Sequence, residues 1–112
     1  MAVKNRVFPL ELQSIDSSTL TANYQAVEAS GIEAPAFVIR ISNNSDEDVT
    51  ISFDGSTDHE IVAAGEGIRW DFQTNARPQT NIAALAQGTV IYAKGTAGTG
   101  TITISGWYQE LS

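Results

Sequence analysis

Apolar and polar side chains alternate with a period of two in five segments between residues 36 and 108. A period of two places successive side chains on opposite faces of an extended strand, so each segment can bury one face and expose the other. The pattern predicts strands at residues 36–42, 49–53, 68–72, 89–94 and 101–108. Together these segments indicate a small all-β domain with one apolar interior.

Turn residues and shorter apolar runs complete the predicted set of strands. Asn-Asn-Ser-Asp at residues 43–46 is a turn sequence, and we expect it to join the two flanking strands as a hairpin. The Asp-Gly pair at residues 54–55 predicts a second tight turn, followed by a short strand at 60–63. Residues 24–29 are a weaker strand candidate, whereas the small polar residues 14–21 indicate a loop.

The N-terminal segment has two interpretations. Its apolar residues Val7, Phe8, Leu10 and Leu12 suit either an ordinary first strand or an extended arm that reaches a neighbouring subunit. Pro9 lacks a backbone donor, so this segment is expected at a sheet edge. With it, the chain is predicted to be one domain over residues 1–112, an antiparallel β-sandwich or jelly roll of about seven or eight strands, in which residues 1–22 are the candidate arm.

Large aromatic side chains are expected to fill the interior. Each fully buried apolar side chain contributes about 1.5–3 kcal/mol, so exchanging Ile39 or Trp70 for Ala is expected to cost a few kcal/mol. The predicted core aromatics are Trp70, Phe72, Phe37, Phe53 and Tyr92.

Composition narrows the function classes. The 112 residues include 13 acidic and 6 basic side chains, giving a formal net charge of −7, and no cysteine, which excludes a disulfide framework and a thiolate metal site. The negative charge disfavours binding to nucleic acid or to an anionic membrane. No stretch approaches the roughly 20 apolar residues of a membrane span, and the N-terminus lacks the pattern of a secretory signal. We therefore expect a protein that is made in a cytoplasm.

His59 and Lys94 are candidates for chemistry, and each has a plainer interpretation that we favour. A catalytic His59 needs a positioned partner and a nucleophile, but its neighbour Asp58 points to the opposite face of a strand, so a surface histidine with one hydrogen bond is expected. Lys94 precedes the small-residue run 95–100, which superficially resembles a phosphate loop. Because a strand rather than a helix follows, we expect a flexible hairpin tip. We predict no catalytic residue and no cofactor.

Acidic residues cluster around two turns. Turns can present carboxylates to a hard cation, but this spacing does not match a calcium loop, so we expect capping roles and no metal. The residues are Asp46, Glu47, Asp48, Asp54 and Asp58.

Four further side chains and one loop are candidates for contacts. Trp107 and Tyr108 end the last strand on opposite faces, so one of them must face outward and is a candidate contact anchor. Arg40 and Arg69 lie on polar strand faces and are expected to pair with acidic residues across the sheet. Residues 74–87 form either a binding loop or a plain crossover between sheets.

Two stretches of the sequence resemble a known class of proteins. They are the run from Ile41 to Asn44 continued by residues 48–55 with Asp58 and His59, and residues 89–100 closed by Ser105 to Tyr108. Together they are similar to small β-sandwich virion proteins of tailed bacteriophages, over roughly residues 23–108.

The resemblance implies a non-enzymatic structural protein. Such proteins serve in capsid decoration, as neck or tail adaptors, or as anchors for fibres, and they work through contacts with other virion proteins and with copies of themselves. It therefore implies a homo-oligomer located in the virion, for which we predict a trimer or a higher ring. The candidate interface residues are Val7, Phe8, Leu10, Trp107 and Tyr108.

A carbohydrate-binding module is the alternative function. Such modules share the sandwich architecture and present aromatic platforms with polar rims. The candidate platform residues are Trp107, Tyr108, Trp70 and Tyr24.

Overall fold

The protein folds into two antiparallel β-sheets that pack together as a sandwich. The computed structural model describes residues 6–71 and 85–110, with side chains from 8 to 71 and from 85 to 108. In chain order the strands of this described part are β1 (Arg6–Pro9), β2 (Gln13–Asp16), β3 (Gln25–Ala26), β4 (Ala36–Ser45), β5 (Val49–Ser52), β6 (Glu60–Val62), β7 (Gly67–Asp71), β8 (Tyr92–Gly95) and β9 (Gly100–Glu110). A 3-10 turn, Ser17–Thr19, follows β2.

The strand order is the one that results when a long antiparallel hairpin folds over to form two sheets. One sheet has the order β1-β9-β4-β7 with β2 also on β9, and the other has the order β3-β8-β5-β6. The antiparallel pairs are nested along the chain: β5 with β6, β4 with β7, β3 with β8 and β2 with β9. Strands β2 to β9 form an eight-strand, two-sheet jelly roll. β1 precedes β2 and pairs with a different part of the same strand, β9. The all-β prediction is confirmed.

The predicted hairpin between residues 36–42 and 49–53 is wrong. β4 pairs with β7 and β9, whereas β5 pairs with β6 and β8 in the other sheet. The chain therefore crosses between sheets after β4 instead of turning back in the same sheet. The Asp-Gly turn does close a hairpin, between β5 and β6, and Gly55 there has a φ of +82°.

The interior is aliphatic, so the prediction of an aromatic core is wrong. The fully buried large side chains are Ile39, Ile41, Ile51, Ile91, Ile102, Ile104, Val49 and Val62. Phe53 and Trp70 only pack partly buried against this core, edge to face at 5.6 Å between ring centroids, and Phe37 is half-buried. The prediction that Tyr92 faces the core is wrong, because its neighbours Ile91 and Ala93 are the residues of this segment that point inward. Phe72 lies outside the described residues.

The N-terminal segment runs along β9 in two pieces. β1 pairs with residues 107–110 of β9 and β2 pairs with residues 101–104, so the prediction of a loop at 14–21 is wrong for the part that forms β2. Between the two strands, Leu10 donates its N–H to the Gly106 carbonyl and buries its side chain in the core. Pro9 lies at the sheet edge as expected. No helix in the described part of the chain is long and apolar enough to cross a membrane.

Candidate functional site

His59 and Asp54 hold the loop between β5 and β6. The Phe53 N–H donates to His59 Nδ1 at 3.0 Å, which matches the expected single hydrogen bond of a surface histidine. Asp54 Oδ1 accepts from the N–H groups of Ser56 and Thr57 at 2.9 and 2.8 Å. These backbone donors hold the pKa of the Asp54 carboxyl well below its usual value of 3.8. Both side chains are thus engaged in loop structure.

Two of the other turn carboxylates also accept hydrogen bonds from backbone groups. Asp46 Oδ1 accepts the Thr99 N–H at 2.8 Å, and Asp48 Oδ1 accepts the Ala64 N–H at 2.9 Å. Each bond ties a turn to a segment that is distant in sequence. Across residues 8–71 and 85–108, no three His, Asp or Glu side chains converge as metal ligands do.

Lys94 belongs to a cluster with Asp58 and Tyr24. Its Nζ lies 3.0 Å from Asp58 Oδ1 and 4.5 Å from the centroid of the Tyr24 ring, and the Tyr24 hydroxyl donates to Asp58 Oδ1. Desolvation and the hydrogen bond to the Asp58 carboxylate raise the pKa of Tyr24 to about 12. The hydrogen bonds from Tyr24 and Lys94 in turn lower the pKa of Asp58. The ammonium group of Lys94 is therefore paired with a carboxylate inside the cluster.

The small residues after Lys94 do not form the expected hairpin tip. β8 and β9 belong to different sheets, so this segment crosses between them. Gly98 packs tightly there: a Cβ at this position would lie 2.5 Å from Asp46 Oδ1. Close packing of this kind accounts for the glycine at position 98.

Trp107 is the outward-facing member of the terminal aromatic pair. It is 45% exposed, whereas Tyr108 packs against the core and stacks on Phe8 with centroids 5.5 Å apart. Leu10 is only 8% exposed, and the side chain of Val7 lies outside the described part. Among the members of the predicted interface set whose side chains are described, Trp107 is therefore the most exposed, and the interface role itself stays a prediction.

Trp107 borders a shallow groove on the outer face of its sheet. We call this groove, of about 410 Å³, the arginine groove; it is lined by Val38, Arg40, Arg69, Ser105, Gly106 and Trp107. The sheet register sets Arg40 directly opposite Arg69 on the neighbouring strand. The expected cross-sheet pairing with acidic residues is absent: Arg69 Nη2 lies 3.8 Å from Asp71 Oδ2 of its own strand, and Arg40 has no acidic partner among the described residues.

A second surface feature is acidic and was missed by the sequence analysis. We call it the glutamate pocket; it measures about 160 Å³ and is lined by Glu11, Leu12, Gln13, Glu28, Ser30, Gly31 and Glu33. The Glu11 N–H donates to Glu33 Oε1, and Glu28 Oε1 accepts from the Ser30 hydroxyl at 3.1 Å. Its acids come from two segments that are separated in sequence, so no local pattern announces it.

The predicted loop at residues 74–87 lies mostly outside the described residues. Its described end, Leu85, forms a two-way backbone bridge with Ala36. Leu85 thereby secures the start of β4.

No protein-family model, no curated protein and no solved structure matches this chain.

Proposed function

We propose that the protein is a non-enzymatic structural component of a tailed-phage virion, in capsid decoration, in a neck or tail adaptor, or as a fibre anchor. In this role it acts through contacts with other virion proteins and with copies of itself. The phage assignment rests on the resemblance of the sequence to such proteins. The jelly roll is compatible with it, since viral capsid domains and lectins share this architecture, but a fold alone does not specify a function.

One observation carries the structural role. The side chains that sequence analysis singled out for chemistry are committed to holding loops, whereas Trp107 and Arg40 remain exposed on an open sheet face. Exposed aromatic and arginine side chains are the types most often responsible for affinity at protein interfaces. The molecule thus presents contact groups on a hydrogen-bonded scaffold.

Mass spectrometry of purified phage particles tests this proposal. We expect the chain to copurify with infectious particles at a constant ratio to the major capsid protein, through density-gradient centrifugation and after a high-salt wash. Recovery of the chain only from the soluble lysate, with none on the particles, would contradict the virion role.

A carbohydrate-binding module is the second candidate, and the arginine groove favours it. An exposed Trp107 ring beside the Ser105 hydroxyl and two guanidinium groups offers both a stacking platform and hydrogen-bond donors for a sugar. Calorimetric titration with a panel of oligosaccharides distinguishes the candidates. Saturable binding that is lost in Trp107→Ala but kept in Trp70→Phe would favour the carbohydrate module.

A further inference from the structure

The arginine groove carries an unusual concentration of positive charge for this chain. Only 6 of the 112 residues are basic, against 13 acidic ones. Two of those six, Arg40 and Arg69, face each other across neighbouring strands, an arrangement in which like charges repel. Arg69 Nη2 lies 3.8 Å from Asp71 Oδ2, a longer ion pair than the 3.0 Å between Lys94 Nζ and Asp58 Oδ1, and Arg40 has no acidic partner among the described residues. The groove is therefore a local positive site on a negatively charged molecule.

The glutamate pocket is complementary to the groove in two respects. It presents three carboxylates where the groove presents two guanidinium groups. It also contains Leu12, which is 63% exposed, where the groove contains the 45% exposed Trp107. Leu12, Ile61 and Trp107 are the large apolar side chains that stand exposed in the described part, so two of these three belong to the complementary pair of surfaces.

The two surfaces lie on different parts of the sheet. The arginine groove spans β7, β4 and β9. The glutamate pocket lies at the start of β2, which pairs with β9 at the edge of the sheet opposite to β7. A contact between the groove of one copy and the pocket of the next leaves a free groove and a free pocket on the two outer sides. Such a head-to-tail contact repeats until it closes into a ring or continues as an array.

We propose that the arginine groove is a docking site for the glutamate pocket of a second copy of this chain. This inference rests on the proposed function, because it names the partner through which the structural protein assembles. In the contact, the guanidinium groups of Arg40 and Arg69 bind the carboxylates of Glu28 and Glu33, and Leu12 packs beside Trp107. Charge-assisted pairs between arginine and carboxylate are stronger than neutral hydrogen bonds and set the register of an interface.

Charge exchange between the surfaces provides the test. Arg40→Glu/Arg69→Glu and Glu28→Lys/Glu33→Lys are each expected to lower the self-association constant about tenfold or more, because each puts like charges across the contact. An equimolar mixture of the two variants restores complementary pairs and is expected to associate. The quadruple variant, which has the wild-type net charge, is expected to associate with itself. Sedimentation velocity of each sample over a concentration series measures the constants.

Matched controls separate this contact from general charge effects. Glu60→Lys/Glu66→Lys changes the net charge as much as the pocket variant does, but outside both surfaces, so association should stay at the wild-type level. Circular dichroism of every variant checks that the fold is retained. Because both surfaces are solvent-exposed, raising the salt concentration is also expected to weaken wild-type association.

Each outcome has a separate meaning. If the wild type associates but the variants and their mixture associate equally well, the groove–pocket contact is overturned while the structural role stands. If the wild type stays monomeric throughout, the self-assembly part of the proposed function fails with it. If the groove binds a saccharide, loses that binding in Arg40→Glu/Arg69→Glu, and shows no self-association, the site belongs to a sugar and the proposal is wrong.

Discussion

The side chain of Asn43 connects the two sheets through hydrogen bonds. Its side chain is completely buried, and its Nδ2 donates to the carbonyls of Glu47 and Val62 at 2.8 and 3.0 Å. Its Oδ1 accepts from the N–H and the hydroxyl of Ser45 at 3.1 and 2.6 Å. A buried amide with every group satisfied is favourable, whereas a missing partner leaves a desolvated polar group.

Asn43→Ala is therefore expected to destabilise the protein. The change leaves the buried Val62 carbonyl without this donor, and we expect a loss of about 2–4 kcal/mol in the free energy of unfolding. The neighbouring Asn44→Ala is the control, since Asn44 points outward from the same strand and should change stability by about 0.5 kcal/mol or less. Urea denaturation of both variants measures the difference, and equal midpoints would contradict the role of Asn43.

Asp54 makes the stability of the fold depend on pH at acidic values. Its pKa is lowered in the folded state, so its stabilising effect is fully present above the unfolded value near 3.8 and is lost as the pH falls below that value. Asp54→Asn keeps an acceptor oxygen but removes the charge. We expect the variant to be less stable than the wild type at neutral pH and the difference to shrink on acidification below pH 3.8. Unfolding curves at a series of pH values measure it, and a difference independent of pH would refute the account.

At the scale of the elements, the segments were predictable and their partners were not. The period-two pattern located β4, β5, β7 and most of β9, because alternation is a local property. The pairing of β4 with β7 and β9 is a long-range property of the rolled hairpin, which no local pattern encodes. The prediction of a turn at residues 43–46 is wrong for residues 43–45, because β4 continues to Ser45. The buried Asn43 side chain accepts hydrogen bonds there from the N–H and the hydroxyl of Ser45.

The candidate site was predictable only in part, for the same physical reason. The outward orientation of one terminal aromatic residue followed from alternation, and Trp107 fills that role. The opposition of Arg40 and Arg69 depends on the register between β4 and β7, and the glutamate pocket depends on packing between residues 11–13 and 28–33. The sequence does not decide whether Ile91 or Tyr92 is buried, because both faces of this strand carry apolar side chains. A shift of one residue in the alternation therefore exchanges the inward and outward faces, and in the structure Ile91 is the buried residue.

The start of β9 depends on a glycine that the backbone of β4 approaches closely. Gly100 has a φ of +128°, and a Cβ there would lie 2.1 Å from the Asn44 carbonyl oxygen. Gly100→Ala is expected to cost at least about 3 kcal/mol, from backbone strain together with displacement of β4. Gly65→Ala is the matched control, because Gly65 has a φ of +77° but open space around it, and about 1 kcal/mol is expected from strain alone. Thermal unfolding compares them, and similar losses would show that close packing at Gly100 is unimportant.

At the scale of the whole molecule, net charge and surface pattern act in opposite directions. A formal charge of −7 keeps separate copies apart through general repulsion. In the proposed head-to-tail contact, the arginine groove and the glutamate pocket supply a specific attraction that opposes this repulsion in one orientation. For the proposed structural role, we expect this balance to keep copies dispersed until they meet in the geometry of that contact.

Native mass spectrometry of the unmodified protein over a rising concentration series tests self-assembly most directly. We expect one defined oligomer of three or more copies, because the predicted ring is the closed form of a head-to-tail contact. A protein that remains strictly monomeric at the highest concentration would contradict it.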